Sequence, residues 1–297
     1  MRAFLRSFSF ILNHPLSQRD RGSAIGRYIR WQIGSRILAA PVQMPFVNET
    51  VLVVTPGMTG ATQNLYTGLA DFGDCAFLLH LLRKDDLFID IGSNVGVYSV
   101  LASGAVGAKS IAIEPIPQTY ARLCANIRAN DISDRTLSHN IGLGRSDSTL
   151  RFTVDQDCMN HIISDENWMG PSIHVPVRTL NAVAAGLSPV LCKLDVEGWE
   201  SEVLAGGTDV LENRALLGLI IEMDGSKADF NPNEHAVHAC MLGNGFAPFT
   251  YDPFTRKLTS LPSKNRGGAN TLYLRNLSAI QARLASAPPF VVNGRAI

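Results

Sequence analysis

The chain has 297 residues, 46% hydrophobic and 18% charged, which is long enough to bury a sizeable core and too apolar for a disordered segment. Lys plus Arg and Asp plus Glu both number 26, so the formal net charge is zero. Nucleic-acid binders carry excess or clustered positive charge, and this balance argues against DNA or RNA as partner.

In chain order, MRAFLRSFSFILNHPLSQ comes first, with positive charges followed by apolar residues. Its apolar run Phe8–Leu12 is shorter than a secretory h-region, and no small-residue cleavage site follows. A helix packed on the domain is the expectation, with an amphipathic interfacial helix as the alternative. No stretch approaches the roughly 20 apolar residues of a membrane span. Residues 1–45 read as short helices ending at Pro41 and Pro45. In residues 46–86 an extended run, Thr50–Thr55, precedes a Gly-containing turn and a helical stretch near Cys75–Leu82.

From Leu87 onward, short apolar runs alternate with helical patterns. The runs are LFIDI (87–91), SIAIE (110–114), TLSHNIG (136–142), PVLCKLD (189–195) and LGLIIEM (217–223). Val95–Ala105, Pro117–Asn130, Glu200–Leu204 and Glu234–Leu242 fit helices between them, and Asn270–Arg275 reads as a further strand. Runs apolar on both faces, alternating with helices, predict an α/β fold with a doubly wound, mainly parallel sheet. Leu150–Val154 and Ile173–Val177 suggest a hairpin insertion above it. The division is an N-terminal region 1–86, a core domain 87–277 and a C-terminal tail 278–297, which Pro288 and Pro289 mark as loosely ordered. The five cysteines (Cys75, Cys124, Cys158, Cys192, Cys240) are scattered, odd in number and lack metal-ligand spacing. That predicts reduced thiols in a cytoplasmic protein.

The first run leads into FIDIGSNVGVYSVLAS, a strand, a turn with Gly92 and Gly96, then a helix. Glycines there allow positive φ and close approach of a ligand, and the helix start offers free N–H donors. Asp90 ends the strand, and Glu114, 24 positions later, ends the next, where a carboxylate can accept from both ribose hydroxyls of an adenosine. A dinucleotide fingerprint needs a glycine where Asn94 stands, so a ligand without pyrophosphate is favoured. S-adenosylmethionine meets that description, its ammonium and carboxylate suiting Asp90 and the loop amides. NAD is the runner-up.

The fourth run enters KLDVEGWESEVL (193–204). Glu200 and Glu202 fit a first helical turn, where acids complement the macrodipole. Asp195 and Glu197 come earlier, where the strand opens towards the cleft, with Gly198 easing the turn. A hydroxyl attacking a methyl group must lose its proton, so Asp195 or Glu197 is the candidate base, and His161 in the insertion is a second. Lys193 either pairs with a neighbouring carboxylate or projects into solvent. Glu222 ends the next strand at the same rim. A magnesium or manganese ion held by Asp195 with Glu197 or Glu222 is chemically reasonable, but no spacing demands it, and no metal is expected.

FIDIGSNVGVYSVLAS, IAIEPIPQTYARLCANIRAN, VPVRTLN and KLDVEGWESEVLAGG, in that order, resemble the FkbM family of S-adenosylmethionine-dependent methyltransferases. The flanks TGATQNLYTGLADF and NTLYLR extend the resemblance over roughly residues 50–275. It implies a class I methyltransferase, Rossmann-like sheet of seven strands with one antiparallel strand. It also implies O-methylation of a sugar, polysaccharide or secondary metabolite. Carried over, Asp90, Gly92, Asn94, Gly96 and Glu114 hold the cofactor together with neighbouring Ile91, Ser93 and Pro115, and Asn140, Ile141 and Gly142 lie near the adenine. Asp195 and Glu197 match the acidic D-x-E-G motif. Two positions depart: Asn181 stands in place of an Asp, and Trp199 in place of a small residue. The acceptor is expected to be a small molecule or glycan. The rival readings are an NAD-dependent oxidoreductase or epimerase, or a cofactor-binding module without catalysis.

Overall fold

The computed structural model describes residues 2–37, 40–154, 160–163, 168–223 and 230–297. Cys158 lies outside them. Three helices open the chain: α1 (Arg2–Asn13), α2 (Pro15–Gln18) and α3 (Arg21–Ile37). They lead to an antiparallel hairpin of β1 (Val42–Pro45) and β2 (Val51–Val54). Pro45 was expected to end a helix. It instead closes β1 opposite Val51, on a two-stranded edge where a missing N–H is tolerated. Next come α4 (Thr59–Thr67), which the sequence reading did not anticipate, and α5 (Phe72–Leu81).

The core then follows as β3 (Leu87–Ile91), α6 (Val97–Ser99, continued as a π-helix over Val100–Val106), β4 (Lys109–Ile113), α7 (Pro117–Ala129) and β5 (Thr136–His139). After it come β6 (Gly142–Leu143), β7 (Ser148–Thr153), β8 (Ser172–Arg178), α8 (Leu180–Val183), β9 (Leu191–Leu194), α9 (Glu200–Ala205), α10 (Thr208–Glu212) and β10 (Gly218–Glu222). The chain ends with α11 (Pro232–Gly243), β11 (Ala247–Asp252), β12 (Lys257–Ser260), β13 (Asn270–Leu274), α12 (Leu277–Ser286), β14 (Val291–Val292) and β15 (Arg295–Ala296).

The main sheet has the order β12-β11-β13-β10-β9-β3-β4-β5. Strands β10, β9, β3, β4 and β5 are mutually parallel, and β13 runs against β10. The doubly wound, mainly parallel architecture is thus present. It carries one strand more than seven, because the hairpin β11–β12 adds a second reversed strand at the edge.

Alternation along the strands splits the core into two layers. Phe88, Leu191 and Ile220 pack with Phe77, Leu81 and Leu101 on one side. Ile89, Cys192 and Ile221 pack with Leu204, Leu211 and Met241 on the other. Each such fully buried large side chain contributes about 1.5–3 kcal/mol. The same alternation places Asp90 and Lys193, paired across β3 and β9, on one face at the carboxyl ends of the strands.

The insertion forms as read, with β7 and β8 antiparallel and Leu150 opposite Val175. The run 136–142 is not one strand. The chain leaves the main sheet after His139, and Gly142–Leu143 pairs with β8 in a separate three-stranded sheet. The C-terminal stretch is a further correction, because it is packed on the core. Ile280 and Leu284, four residues apart on α12, are buried in the first layer, as are Phe290 and Val292 beyond the prolines. Val291 is hydrogen-bonded in both directions with Asn48.

Candidate functional site

A cleft of about 280 Å³ opens at the carboxyl ends of the parallel strands, where β3 and β9 diverge to opposite halves of the sheet. This is the switch point at which open α/β sheets bind ligands. On its β4–β5 side lie the loop after β3, Glu114 and an apolar wall of Ile116, Ile141, Leu143 and Phe152. On its β9–β10 side lie Lys193, Asp195, Glu197 and Glu222.

The loop is held from below. The backbone N–H groups of Gly92 and Ser93 both donate to the carbonyl of Ile113, at 3.0 and 2.9 Å. Gly92, Asn94 and Gly96 all have positive φ (75°, 49° and 87°). At Gly92 a Cβ would stand 1.7 Å from the carbonyl oxygen of Asp195, so the two strand ends can approach only over a glycine. Glu114 is buried, and each of its carboxylate oxygens accepts a backbone N–H, from Asn94 (3.0 Å) and Ile116 (2.9 Å). Burial nevertheless pushes its pKa up to about 7.

Asp90 is 1% exposed. Its Oδ2 accepts from the Ser99 hydroxyl at 2.7 Å, while Oδ1 has no partner among the described residues, and neither has the buried Ser93 hydroxyl. Burial raises Asp90 to about 6 against the pull of Lys193. An orphaned acceptor of this kind fits an ammonium group, and the glycine-lined loop leaves room for a backbone-hugging ligand. These residues therefore suit an adenosine with an amino-acid arm.

The carboxylates opposite are graded by their surroundings. Lys193, 4% exposed, places Nζ 2.5 Å from Asp195 Oδ2 and 4.9 Å from the centre of the Tyr98 ring. It is thus paired and buried, and does not project into solvent. Burial alone would raise Asp195, but the Lys193 charge together with hydrogen bonds from Glu222 and Lys193 outweighs it and holds the carboxyl below its ordinary range. Glu222 is pushed up to about 9 by burial and by the Asp195 charge beside it. Glu197, in left-handed backbone (φ 53°), is raised to about 7 by burial and by Asp195 and Glu200. Gly198 follows at φ 95°, and the turn is pinned by Glu200, whose Oε1 accepts from Val196 and Gly198 and whose Oε2 accepts from Asn233. One oxygen each from Asp195, Glu197 and Glu222 lies within 4.8 Å of the others, a spacing a divalent cation could bridge. Lys193 and the proton kept by Glu222 already offset much of that negative charge.

Of the remaining candidates, Ile91, Pro115, Ile141 and Gly142 line the cleft. Asn140 does not. Its amide donates to the carbonyls of Glu114 (2.8 Å) and Pro115 (3.0 Å) and so fixes the Glu114 segment. His161 does not join the carboxylates either. The wall there is made by Asn160 and Ile162, and the imidazole meets Trp168 edge-on. Asn181 sits at the start of α10, its Oδ1 accepting from Asp209 N–H at 3.1 Å, and does not line the cleft. Trp199 lies in the cleft wall, as a bulky residue after Gly198 suggests. Gln63, Asn64 and Asp71 bring the N-terminal region into the cleft; the sequence points to that zone and to the 150–177 insertion as pocket-lining but singles out none of the three. They sit within TGATQNLYTGLADF, a flank recognised only as a block.

Several of these carboxyls keep protons in the fold that they lose in the unfolded chain. Asp90 (about 6), Glu114 (about 7) and Asp74, raised by burial to about 7, all bind more protons when folded. Stability therefore falls as pH rises from the ordinary carboxyl range to about 7, and Glu222, raised to about 9, carries the fall further. Asp195, shifted the other way, loses its contribution only under more acidic conditions. The melting temperature of the cofactor-free protein should be higher at about pH 5.5 than at about pH 8. His80, whose pKa burial lowers to about 4, works in the opposite direction at the acid end of that interval, so a melting temperature that rises across it would show the carboxyl contribution to be the smaller one.

Comparison with known proteins adds three findings. A model of the methyltransferase FkbM domain matches residues 90–248. Hexuronic acid methyltransferase AglP of Haloferax volcanii is 32% identical over 147 residues, 46% of this chain, and the match spans 56% of that protein's length. Among solved structures, PH0793 of Pyrococcus horikoshii covers 80% of this chain and 71% of its own at 16% identity, with a TM-score of 0.42. Fibrillarin of Aeropyrum pernix, solved with natively bound S-adenosyl-L-methionine, covers 68% and 73% at 11% identity, with a TM-score of 0.37.

Proposed function

The chain belongs to the FkbM methyltransferase family, and from that premise we propose that it transfers the methyl group of S-adenosylmethionine to a hydroxyl of a sugar or glycan. The observation carrying this reading is the facing of two systems across one cleft, the Asp90–Glu114 loop assembly and the graded carboxylates of β9 and β10. Asp90 and Ser93 hold the amino-acid arm of the cofactor, Glu114 its ribose, and Ile116, Ile141, Leu143 and Phe152 its adenine. When bound, S-adenosylmethionine supplies a methyl group on a positively charged sulfonium, which leaves as a neutral thioether.

Glu197 takes the proton of the acceptor hydroxyl. Its pKa near 7 makes it basic enough to accept that proton and ionised often enough at neutral pH to act. Asp195, kept anionic by Lys193, is the weaker base and orients the acceptor by accepting a hydrogen bond. Glu222 keeps its proton at neutral pH and is a donor. No metal is invoked, since Lys193 and that proton compensate the cluster.

The likeness to a hexuronic acid methyltransferase supports a sugar acceptor. Gln63, Asn64 and Asp71 supply hydrogen-bonding groups for one, and the neutral net charge supports a glycan or small molecule over a nucleic acid. A cleft rich in carboxylates favours a neutral hydroxyl over an anionic carboxylate as nucleophile. Nicotinamide chemistry gains no support, because Asn94 occupies the place of the glycine that a pyrophosphate requires.

The test is transfer of labelled methyl from S-adenosylmethionine to a panel of hexoses, hexuronic acids and oligosaccharides. An alkali-stable methyl ether is the expected product. Label released by mild alkali as an ester, or label found only in nucleic acid, would reject the hydroxyl acceptor.

A further inference from the structure

Helix α3 is apolar on two opposite faces. Ala24 and Tyr28 are buried, with Tyr28 stacked edge-on against Tyr66 of α4 at 5.0 Å. On the far side, Ile29, Ile33 and Ile37 recur every four residues and are 50%, 57% and 76% exposed. They form one stripe along the outer face, bordered by the exposed Arg30 and Arg36. Residues 1–40 contain seven arginines and one acidic residue, Asp20, in a chain whose overall charge is zero. An outward apolar stripe with basic flanks, in a region this basic, is a different arrangement from a scatter of single surface apolar residues.

We infer that the outer face of α3 docks on an anionic membrane surface, with the isoleucines at the headgroup–acyl boundary and Arg30 and Arg36 on lipid phosphates. Charge decides between occupants. A second copy of the chain would bring the same arginines against each other, and a protein partner would need a matching acidic face. An anionic bilayer takes the isoleucines and the guanidinium groups together. Among the described residues no helix is long and apolar enough to cross a membrane, so the contact is peripheral. Arg27 of α3 donates to the Tyr66 carbonyl, and α4 carries Gln63 and Asn64 of the cleft wall, so the docked face lies one helix from the cleft. The inference does not depend on the reaction assigned to the cleft.

Flotation of the full chain with vesicles tests it. The protein should float with phosphatidylcholine–phosphatidylglycerol vesicles at low salt, but not with phosphatidylcholine alone, and high salt should weaken binding. Ile29→Ser with Ile33→Ser should lower the apparent affinity about tenfold or more, and Arg30→Gln with Arg36→Gln should remove the preference for anionic lipid. Unchanged melting by circular dichroism shows that each variant is folded. Absence of flotation, or flotation that both double variants retain, would overturn the inference. So would a drop in the solution mass of the isoleucine variant without lipid, which would assign the stripe to a second copy.

Discussion

Replacing Glu197 with Gln should lower the turnover of methyl transfer by about 10²–10⁴, with the affinity for S-adenosylhomocysteine nearly unchanged. Glutamine keeps the size and hydrogen-bonding capacity of the side chain but cannot take a proton. Glu197 sits in a constrained turn pinned by Glu200, so the neutral variant should hold the same backbone. In the wild type, turnover should rise with pH through about 7 as Glu197 ionises, and the Gln variant should lose that limb. Asp195→Asn should also be damaging, but partly through structure, because it leaves the buried Lys193 without its ion pair. Glu222→Gln mimics a carboxyl that is already protonated and should cost least of the three. Full turnover in Glu197→Gln would remove this residue from the role of base.

Gly92→Ala should abolish cofactor binding and destabilise the fold by about 3 kcal/mol or more. Two costs combine there. The positive φ strains any residue with a Cβ, and the new methyl would meet the Asp195 carbonyl oxygen at 1.7 Å, a backbone atom that cannot swing aside. Gly186 separates the two costs, since its φ is also 75° but a Cβ there would have nothing within 4 Å. Gly186→Ala should therefore cost only about 1–2 kcal/mol and leave binding intact. Equal losses in the two variants, measured by denaturant unfolding, would mean that the close approach of β3 and β9 is not what Gly92 provides.

How much of this was legible beforehand follows the range of the interactions. The strands of the parallel sheet are strings of Ile, Leu and Val whose burial on both faces is written locally, and LFIDI, SIAIE and LGLIIEM became β3, β4 and β10 within a residue or so. Asp90 and Glu114 line the cleft where the sequence puts them, because chain direction fixes where the last residues of a parallel strand and the first after it must lie. The break at Asn140 was not. TLSHNIG has continuous strand character, and only the pairing of Gly142 with Val177, far along the chain, draws it into another sheet. Helix α12 and the terminal hairpin were missed for a similar reason, because Phe290 and Val292 are ordered by the N-terminal region and the prolines spoke louder locally. The individual residues of the cleft wall from the N-terminal region were the least visible part. Gln63, Asn64 and Asp71 carry no spacing of their own, and α4 becomes part of the cleft only through tertiary packing. His161 shows the converse, a residue of suitable chemistry in a suitable loop whose ring meets a neighbouring indole and is not among the residues lining the cleft.

The proposed binding of S-adenosylmethionine through Asp90 and Glu114 is read out by calorimetric titration with S-adenosylhomocysteine and with NAD. One site for S-adenosylhomocysteine is predicted in the wild type, unchanged in Glu197→Gln and weakened about 10²-fold in Glu114→Ala, which loses the ribose acceptor and the clamp on Asn94 and Ile116. Binding of NAD with none of S-adenosylhomocysteine, or an affinity untouched by Glu114→Ala, would contradict it.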